Sequence, residues 1–450
     1  MSLLTKYNIP VPRYTSYPSV PHWDNTPTQQ QWTELVKKSF SASNHKSGIS
    51  IYMHLPFCES LCTYCACNTR ITVNHKVEEP YLQTLLKEWQ LYLSLFPDKP
   101  RIREIHLGGG TPTFFSPENL RRLMSGLLET VDICPDHDFS FEGHPANTSS
   151  EHLQTLYDLG FRRVSFGIQD FDPLVQDVIN RYQTVEQVDF VLQEARRIGY
   201  TSVNFDLVYG LPHQTLNTIT DTINTVIKHR PDRIAFYSYA HVPWIRPGQR
   251  KYSEKDLPVD VEKRRLYEKG LELFSAAGYR DVGMDHFALQ SDPLFKAMQK
   301  KKLHRNFMGY TDKYTELMIS LGASAISDTW TAFAQNIKAV EPYQKAVAEG
   351  VFPVMKGHLL TEEDMIVRKH ILQIMCAGGT EFNGDQHTCK AISEGIIRCK
   401  VLESDGLVKL SEDRLDVTTA GMAFLRNICL CFDARFWRKG LSQQTFSTVA

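Results

Sequence analysis

Short apolar runs alternate with segments of helical periodicity through the first half of the chain, and this alternation restricts the fold more than any other feature. The runs predict six strands: Ile51–Leu55, Ile102–Leu107, Phe139–Glu142, Arg163–Gln169, Val203–Tyr209 and Ile234–Ala240. Helical segments lie between them, among them Tyr81–Leu95, Pro117–Thr130, Ser150–Leu159 and Leu216–His229. Strands that alternate with helices form βαβ units around a parallel sheet. The sequence therefore predicts an α/β fold, either a barrel or a doubly wound sheet.

Residues that could bind a ligand or take part in catalysis follow each of these predicted strands. They are the cysteines after the first strand, Gly108–Thr111 after the second, Glu142 after the third, Gln169 after the fourth, Asp206 after the fifth and Ala240–His241 after the sixth. In a barrel the carboxyl ends of all strands meet at one mouth, whereas a doubly wound sheet gathers such residues at one switch point. Contributions from six strand ends favour a full or partial barrel. The predicted fold is a partial (β/α)6 TIM-like barrel with an N-terminal extended arm and a mainly helical C-terminal domain.

Three regions follow from this pattern, with boundaries at 1–25, 26–355 and 356–450. Residues 1–25 are rich in proline and aromatic side chains without helical periodicity, which indicates an extended arm that acts as a lid. In the C-terminal region we predict a helix that Thr361 and Asp364 cap and that runs through Met375. Further elements are predicted at Thr388–Ser404 (helix), Leu407–Val417 (hairpin) and Thr419–Arg438 (helix). This region is interpreted as a packing domain in preference to a nucleic-acid-binding wing.

The charge balance restricts the partners. Fifty basic and fifty-one acidic side chains give 50 − 51 = −1, so the electrostatic footprint of a general nucleic-acid binder is missing. No apolar run approaches the ~18 residues that would span a bilayer. The first residues show no apolar signal core, so we expect a cytoplasmic protein without a membrane partner.

Four of the ten cysteines crowd into ten residues: Cys58, Cys62, Cys65 and Cys67. The first three have the spacing C-x3-C-x2-C, which lets three thiolates from one loop bind a single iron–sulfur cube. Zinc is the alternative, but a structural zinc site usually takes four ligands from two separated C-x2-C pairs. Three thiolates leave one iron of a cube with an open coordination position. The pattern therefore favours an iron–sulfur cluster over zinc.

Motifs along nearly the whole chain resemble one family. C-x3-C-x2-C after the first strand is the signature of radical S-adenosylmethionine (SAM) enzymes. The longer run from Tyr52 to Cys67, Y-x-H-x-P-F-C-x3-C-x2-C-x-C, resembles the oxygen-independent coproporphyrinogen III oxidases of haem biosynthesis. Further matching segments are KYNIPVPRYTSYPS at Lys6–Ser19, GGGTPT at Gly108–Thr113, GIQDF at Gly167–Phe171, NRYQ at Asn180–Gln183, DLVYGLP at Asp206–Pro212, YAHVP at Tyr239–Pro243 and RNICLCFD at Arg426–Asp433.

The resemblance implies a first cofactor site. Cys58, Cys62 and Cys65 would hold a 4Fe-4S cluster, and its open iron would chelate SAM, which is cleaved to a 5′-deoxyadenosyl radical. The resemblance places Tyr52, Gly109, Gly110, Thr111, Glu142 and Ile326 around this molecule. A tight turn is the plainer interpretation of the three glycines. The local run Glu142-Gly-His-Pro145 departs from the family pattern E-x-D-P.

The family binds a second SAM beside the first. The resemblance assigns to this second site Tyr64, Gln169, Arg181, Asp206 and Ala240. A surface cation and a buried cap are the plainer interpretations of Arg181 and Asp206. Met308 stands where the family commonly has a glutamine that reaches the second cofactor, and a methionine donates no hydrogen bond. The stoichiometry, one or two SAM molecules, is therefore left open.

The implied reaction is the oxidative decarboxylation of two propionates of coproporphyrinogen III to vinyl groups, which yields protoporphyrinogen IX. Four carboxylates on the substrate require cationic partners. Our candidates are Arg13, Arg246, Arg250 and Lys251. A one-electron reductant such as flavodoxin or ferredoxin is the implied protein partner, and we expect a monomer.

Cys67 is our candidate catalytic residue. It lies two residues beyond Cys65, too close along the chain to occupy another corner of the same cube. Its thiol is predicted to lie near substrate or the second cofactor, and a buried supporting residue is the alternative. The rival function is a haem-binding chaperone of the same superfamily, which typically lacks both the N-terminal arm and a cysteine at this position.

Overall fold

The computed structural model describes residues 3–439, which form two compact units. The larger unit consists of Thr26–Gly278 and Lys313–His358. Of the described residues, the smaller unit consists of 3–25, the inserted segment Tyr279–Asp312 and 359–439. Among the described residues, no helix has both the length and the apolar character needed to cross a membrane.

Six parallel strands form the centre of the larger unit, paired with one another in chain order. They are Ile49–Leu55, Arg101–Gly109, Asp132–Gly143, Arg163–Gln169, Ser202–Tyr209 and Arg233–Ser238. On its other side the first strand pairs with Met318–Leu321, so the sheet continues there in place of closing on the sixth strand. The strands that follow are Ile326–Asp328, Ala332–Asn336 and Val354–Leu359. The prediction of a partial parallel barrel is confirmed.

Helices connect the six strands, and their sequences explain where they begin and end. They are Glu78–Leu93, Pro117–Leu128, Ser150–Asp158, Pro173–Ile179, Val185–Ile198 and Leu216–His229, and Asp260–Ala276 follows the sixth strand. In Val185–Ile198 a capping box of Thr184 and Gln187 satisfies the first amides, and Gly199 ends the helix in the left-handed conformation. Its apolar residues recur every three or four positions and are buried against the sheet, which forms the core.

The smaller unit is built from helices and short hairpins. Its longer helices are Glu362–Ala377, Lys390–Ser404 and Leu425–Phe432, with shorter ones at Leu3–Tyr7, Pro293–Gln299, Asp385–Thr388 and Ala434–Lys439. Its strands are Tyr279–Gly283 with His286–Leu289, His304–Asn306 with Gly309–Thr311, and Gly379–Glu381 with Arg414–Val417 and Val408–Leu410. The capping box predicted at Thr361 and Asp364 is confirmed.

Two local predictions are wrong. Leu3–Tyr7 is a helix, although we expected no helical structure in the arm; five residues are too few for periodicity to reveal. The final helix predicted at Thr419–Arg438 is broken into a 3₁₀ turn and two helices. The break lies at Asp433, whose backbone leaves the helical region and whose carboxylate accepts the N–H of Phe436 at 2.8 Å. A carboxylate that caps the next helix competes with continuation of the first.

The N-terminal arm contributes to the core of the smaller unit. Val11, Tyr14 and Tyr17 are buried, and the hydroxyl of Tyr14 donates a hydrogen bond to Asp433 at 3.1 Å. The guanidinium of Arg426 donates hydrogen bonds to the backbone carbonyls of Val11 and Pro12. Side-chain packing and backbone hydrogen bonds together fix the path of the arm within this unit.

Candidate functional site

The cysteine loop, residues 59–69, lies at the carboxyl end of the first barrel strand. Phe57–Cys58 pairs in parallel with Arg70–Ile71 and so closes the loop at its base. The amide of Arg70 donates to the carbonyl of Pro56 at 2.8 Å, and the amide of Thr72 donates to that of Cys58 at 2.9 Å. This closure places Cys62, Cys65 and Cys67 on one short loop directly after Cys58.

All four thiols are free, and each of the three predicted ligands has a polar neighbour. The Sγ of Cys58 lies 3.3 Å from the hydroxyl of Thr111, and the Sγ of Cys62 accepts a hydrogen bond from Arg181 at 3.6 Å. The Sγ of Cys65 accepts the backbone N–H of Cys67 at 3.3 Å. Hydrogen bonds from Cys67 are the main cause that lowers the pKa of the Cys65 thiol, against the desolvation that opposes it.

These donors fit an iron–sulfur cluster in their chemistry. Soft thiolates are the ligands that such clusters take, and N–H and O–H donors beside the sulfurs stabilise their negative charge. Among residues 3–439, no three Cys, His, Asp or Glu side chains are grouped closely enough to bind one common ion. A cluster does not require such grouping, since each thiolate binds its own iron.

The glycine run after the second strand packs directly against the cysteine loop. The amide of Gly110 donates to the carbonyl of Leu55 at 2.8 Å, and that of Thr111 donates to the carbonyl of Phe57 at 3.0 Å. A Cβ at Gly110 would lie 2.6 Å from the carbonyl of Pro56, so a side chain is excluded there. The close approach of the two backbones therefore requires glycine at this position.

Glu142 sits in a polar network on the inner face of the barrel. Its carboxylate accepts the amide of Gly109 at 3.3 Å and lies 3.4 Å from Nε2 of His106. The ring of His106 stacks on Tyr52 with centroids 6.0 Å apart. Desolvation raises the pKa of Glu142, but the hydrogen bond and charge of His106 together with the Gly109 amide outweigh it and lower the pKa overall. Glu142 is therefore an anion that faces the mouth.

Arg181 brings a cation to the other side of the cysteine loop. Its Nη2 donates to the carbonyl of Gly167 at 2.5 Å, and a Cβ at Gly167 would lie 2.7 Å from this nitrogen and from Nε2 of Gln169. The Nε of Arg181 is buried and has no hydrogen-bond partner within the described part of the chain. A buried donor without a partner is costly, so this atom fits an anionic or acceptor group of a bound molecule.

Asp206 lies on the inner face of the fifth strand, two residues after Asn204. It accepts hydrogen bonds from Ser165 and from Asn204, both at 2.8 Å. Desolvation within the barrel is the largest cause that raises the pKa of Asp206 to about 6, against these two hydrogen bonds. The charge of Asp206 therefore changes at a pH of about 6.

Three further predicted residues belong to the larger unit: Tyr64, Ala240 and Ile326. A buried amide, Gln249, donates to the carbonyls of Tyr64 at 3.4 Å and Ala240 at 3.1 Å. The carbonyl of Ile326 accepts the hydroxyl of Ser320, which lies opposite Tyr52 in the adjoining strand. Met308 lies in the smaller unit, in the turn of the hairpin His304–Thr311, where its amide donates to Asn306 at 2.8 Å.

The four candidate partners of the propionates all contact other groups of the protein. Arg13 forms an ion pair with Asp285, and Arg250 donates to the carbonyl of Pro243 at 3.1 Å. Lys251 donates to a backbone carbonyl at 2.9 Å, and Arg246 donates to the carbonyls of Ala66 and Cys67. Their role toward the substrate stays a prediction.

Sequence reasoning missed the residues that hold the predicted ones in place. His54 links Tyr52 (3.1 Å between the hydroxyl and Nδ1) to the carbonyl of Asn68 (2.8 Å from Nε2), and His106 supports Glu142. Ser165 and Asn204 support Asp206 in the same way. Polar residues at alternate positions of a strand share one face with the functional residue, and this period of two was the available signal.

Similarity to known proteins agrees with this geometry. Residues 52–226 match the family model of the radical SAM superfamily. A partial parallel barrel with three cysteines on the loop after its first strand thus defines the class of the protein as that of the radical SAM enzymes.

The particular family follows from similarity over the full length. The chain is 36% identical over 454 residues to the oxygen-independent coproporphyrinogen III oxidase of Salmonella typhimurium, which covers 100% of this chain and 98% of the relative. The Pseudomonas aeruginosa enzyme of the same name is 35% identical over 456 residues, with 99% and 98% covered. The solved structure of the Escherichia coli coproporphyrinogen III oxidase, described as a radical SAM enzyme, superposes with a TM-score of 0.88 at 34% identity, covering 95% of this chain and 99% of that one. The chain belongs to the family of oxygen-independent coproporphyrinogen III oxidases.

Proposed function

We propose that this protein converts two propionate side chains of coproporphyrinogen III to vinyl groups without oxygen and so yields protoporphyrinogen IX. Each conversion removes one hydrogen atom, one carbon dioxide and one electron from the propionate. The observation that carries the proposal is the full-length similarity to oxidases named for this substrate, joined to the cysteine loop at the mouth of the barrel. The alternative, a haem-binding chaperone, lacks such support.

The decisive experiment is an anaerobic assay of the reconstituted protein with coproporphyrinogen III, a chemical reductant and SAM, in which the tetrapyrrole products are separated by chromatography. We expect protoporphyrinogen IX together with methionine and 5′-deoxyadenosine. Cleavage of SAM without any loss of propionate would contradict the proposed substrate. Tight haem binding without turnover would instead support the chaperone.

The residues of the barrel have distinct roles in this proposal. The cluster and SAM, when bound, supply radical chemistry that abstracts hydrogen from a propionate β-carbon. Cys58, Cys62 and Cys65 hold the cluster, and Gly109, Gly110 and Thr111 offer backbone groups to the methionine portion of SAM. Tyr52, Glu142 and Ile326 complete this first site. Glu142, an anion, suits the ammonium group of a methionine moiety.

A second SAM site involves Tyr64, Gln169, Arg181, Asp206 and Ala240. The unpaired Nε of Arg181 suits a carboxylate, and Asp206 suits an ammonium or a ribose hydroxyl. The family resemblance places a hydrogen-bonding glutamine at the position of Met308, and a methionine donates no hydrogen bond, so we propose that the second molecule binds more weakly than the first.

We expect Met308→Gln to strengthen binding of the second SAM about tenfold, the effect of one added hydrogen bond. Equilibrium dialysis of labelled SAM against the reconstituted protein measures both the affinity and the stoichiometry. Met308→Leu, which keeps the volume without adding a donor, is the control and is expected to bind as the unmodified protein does. Equal binding by the Gln and Leu variants would contradict a role of this position.

The affinity for the second SAM is expected to depend on the ionisation of Asp206. Since the pKa of Asp206 is raised to about 6, the carboxylate is charged above that pH and neutral below it. Lowering the pH through about 6 should therefore weaken binding of the second molecule, whereas binding of the first should change little. Asp206→Asn, of nearly the same shape, should bind weakly at every pH. Dialysis between pH 5 and 8 that shows no such difference would refute this role.

Further assignments complete the proposal. The reductant is a one-electron carrier such as flavodoxin or ferredoxin, and the protein works as a monomer in the cytoplasm. Residues 1–25 serve as a lid that excludes water and oxygen from the reaction. The proposal also keeps the division of the chain into an arm, a barrel and a C-terminal domain, with boundaries after residues 25 and 355. Cys67 is the catalytic thiol.

A further inference from the structure

We propose that Arg246 and Gln249 are positioning residues for the cysteine loop, and that the charge of Arg246 makes the cluster on that loop easier to reduce. Both residues lie in the segment between the sixth strand and the helix Asp260–Ala276. The inference rests on the cluster site proposed above. It assigns to this segment the control of the cluster's reduction potential.

The two halves of the cysteine loop form hydrogen bonds with different elements. The first half is tied to the end of the helix Pro173–Ile179: the amide of Thr63 donates to the carbonyl of Ile179 at 2.9 Å, and the side chain of Asn180 donates to that of Leu61 at 2.8 Å. The second half, Tyr64–Cys67, is tied to the segment that carries Arg246 and Gln249. The hydrogen bonds of that segment therefore act on the second half of the loop.

Gln249 is the buried bridge between the two segments. Only 1% of the residue is exposed, and its side-chain nitrogen donates to the carbonyls of Tyr64 at 3.4 Å and Ala240 at 3.1 Å. Its side-chain oxygen accepts the amide of Val242 at 2.6 Å. The side-chain amide of Gln249 thus forms hydrogen bonds with backbone groups just after the sixth strand and with a backbone carbonyl in the middle of the cysteine loop. A side chain without this donor–acceptor pair leaves buried carbonyls unpaired.

Arg246 adds a charge to this bridge. Its Nη1 donates to the carbonyl of Cys67 at 3.3 Å, and its Nη2 donates to the carbonyl of Ala66. Both acceptors are neutral, and no carboxylate forms an ion pair with Arg246 within residues 3–439. Its positive charge is therefore not cancelled by a neighbouring acid. The fork of the guanidinium fixes this charge against the segment that follows Cys65.

The local sequence places Arg246 close to the loop. Pro247 follows it and begins the 3₁₀ turn Pro247–Lys251, and proline restricts the backbone there. The next residue, Gly248, packs on the cysteine loop: a Cβ there would lie 3.4 Å from the side chain of Leu61 and 3.6 Å from the carbonyl of Thr63. Backbone packing and side-chain hydrogen bonds thus act at the same edge of the loop.

The electrostatic consequence follows from charge balance. A cluster with three thiolate ligands is anionic and gains a further negative charge when it is reduced. A cation fixed nearby stabilises the reduced form more than the oxidised form, and charge and hydrogen bonding are known to set the potentials of such clusters. Arg246 therefore raises the reduction potential.

Three variants separate charge from positioning. Arg246→Gln removes the charge, Arg246→Lys keeps the charge without the planar fork, and Gln249→Leu removes the neutral bridge. Arg250→Gln is the matched control, because Arg250 lies on the same segment but donates to the carbonyl of Pro243 and not to the cysteine loop. One measurement is the midpoint potential of the reconstituted cluster by anaerobic redox titration. The other is hydrogen–deuterium exchange of the loop peptide in the cluster-free protein.

We expect a more negative potential in Arg246→Gln, a smaller shift in Arg246→Lys, and none in Arg250→Gln. Exchange in the loop of the cluster-free protein should be about tenfold faster in Arg246→Gln, Arg246→Lys and Gln249→Leu, the effect of losing one or two hydrogen bonds. Unchanged potential in Arg246→Gln would overturn the electrostatic role, and unchanged exchange in all three variants would overturn the positioning role. If the unmodified protein binds no cluster, the proposed function fails, but the exchange experiment still decides whether the loop is held.

Discussion

Replacement of Cys58, Cys62 or Cys65 by Ala is expected to abolish the broad iron–sulfur absorbance at about 400 nm and with it all conversion of coproporphyrinogen III. In the proposed cluster each thiolate binds a different iron, and the loop holds no substitute that keeps the same spacing. Cys67, the remaining thiol of the loop, is separated from Cys65 by one residue only. Iron and sulfide analysis together with the absorbance spectrum after anaerobic reconstitution measure the loss.

Cys134→Ala provides the control for this series. Cys134 is buried in the third strand, and its loss removes a thiol without touching the cysteine loop. The control should keep its full iron content. A single Ala variant at 58, 62 or 65 that also keeps full iron content would show that this residue is not a ligand.

Cys67→Ser is expected to keep the cluster and the binding of the first SAM but to lose most product formation. We expect turnover to fall at least about tenfold, the effect of 1.4 kcal/mol on a barrier. Cys67 is exposed, whereas Cys58, Cys62 and Cys65 are half-buried. Both the side chain and the backbone N–H of Cys67 form hydrogen bonds with Cys65. Serine keeps the backbone N–H, a side-chain donor and a similar volume but replaces a polarisable thiol, so only chemistry that needs sulfur should suffer.

Three measurements on Cys67→Ser distinguish the possible roles of the thiol. Iron content reports on ligation, dialysis of SAM reports on the first cofactor site, and anaerobic chromatography reports on product. Loss of iron would identify Cys67 as a ligand. Normal turnover would instead assign it a supporting role in the loop.

The alternation of strands and helices was sufficient to predict the barrel, because side-chain periodicity is a local property that the sequence displays directly. For five of the six predicted strands, both the first and the last residue lie within two residues of the observed bounds. The exception is the third strand, which starts at Asp132 in place of Phe139, since its first half carries charged residues and a proline that obscure the strand pattern. The pairing of the first strand with Met318–Leu321 was not predicted, because the two segments are far apart in sequence.

The break of the last helix at Asp433 shows a limit of the same kind. The residues on both sides favour a helix. The first helix ends because the carboxylate of Asp433 caps the following segment and accepts the hydroxyl of Tyr14. The hydrogen bond to Tyr14 comes from the N-terminal arm, 419 residues earlier in the chain. Local propensity cannot anticipate a partner at that distance.

The sequence by itself determined the spacing on which the predicted ligand chemistry of this protein rests. The spacing of Cys58, Cys62 and Cys65 and the glycine run after the second strand are both confined to short segments, where composition and order suffice. The tertiary structure alone decided which groups surround them. From the sequence Arg246 was a candidate partner of the substrate propionates, and the fold directs it to the carbonyls of Ala66 and Cys67, 180 and 179 residues away. Hydrogen bonds and charges act through space, so their partners follow from the folded path of the backbone and not from the order of residues along it.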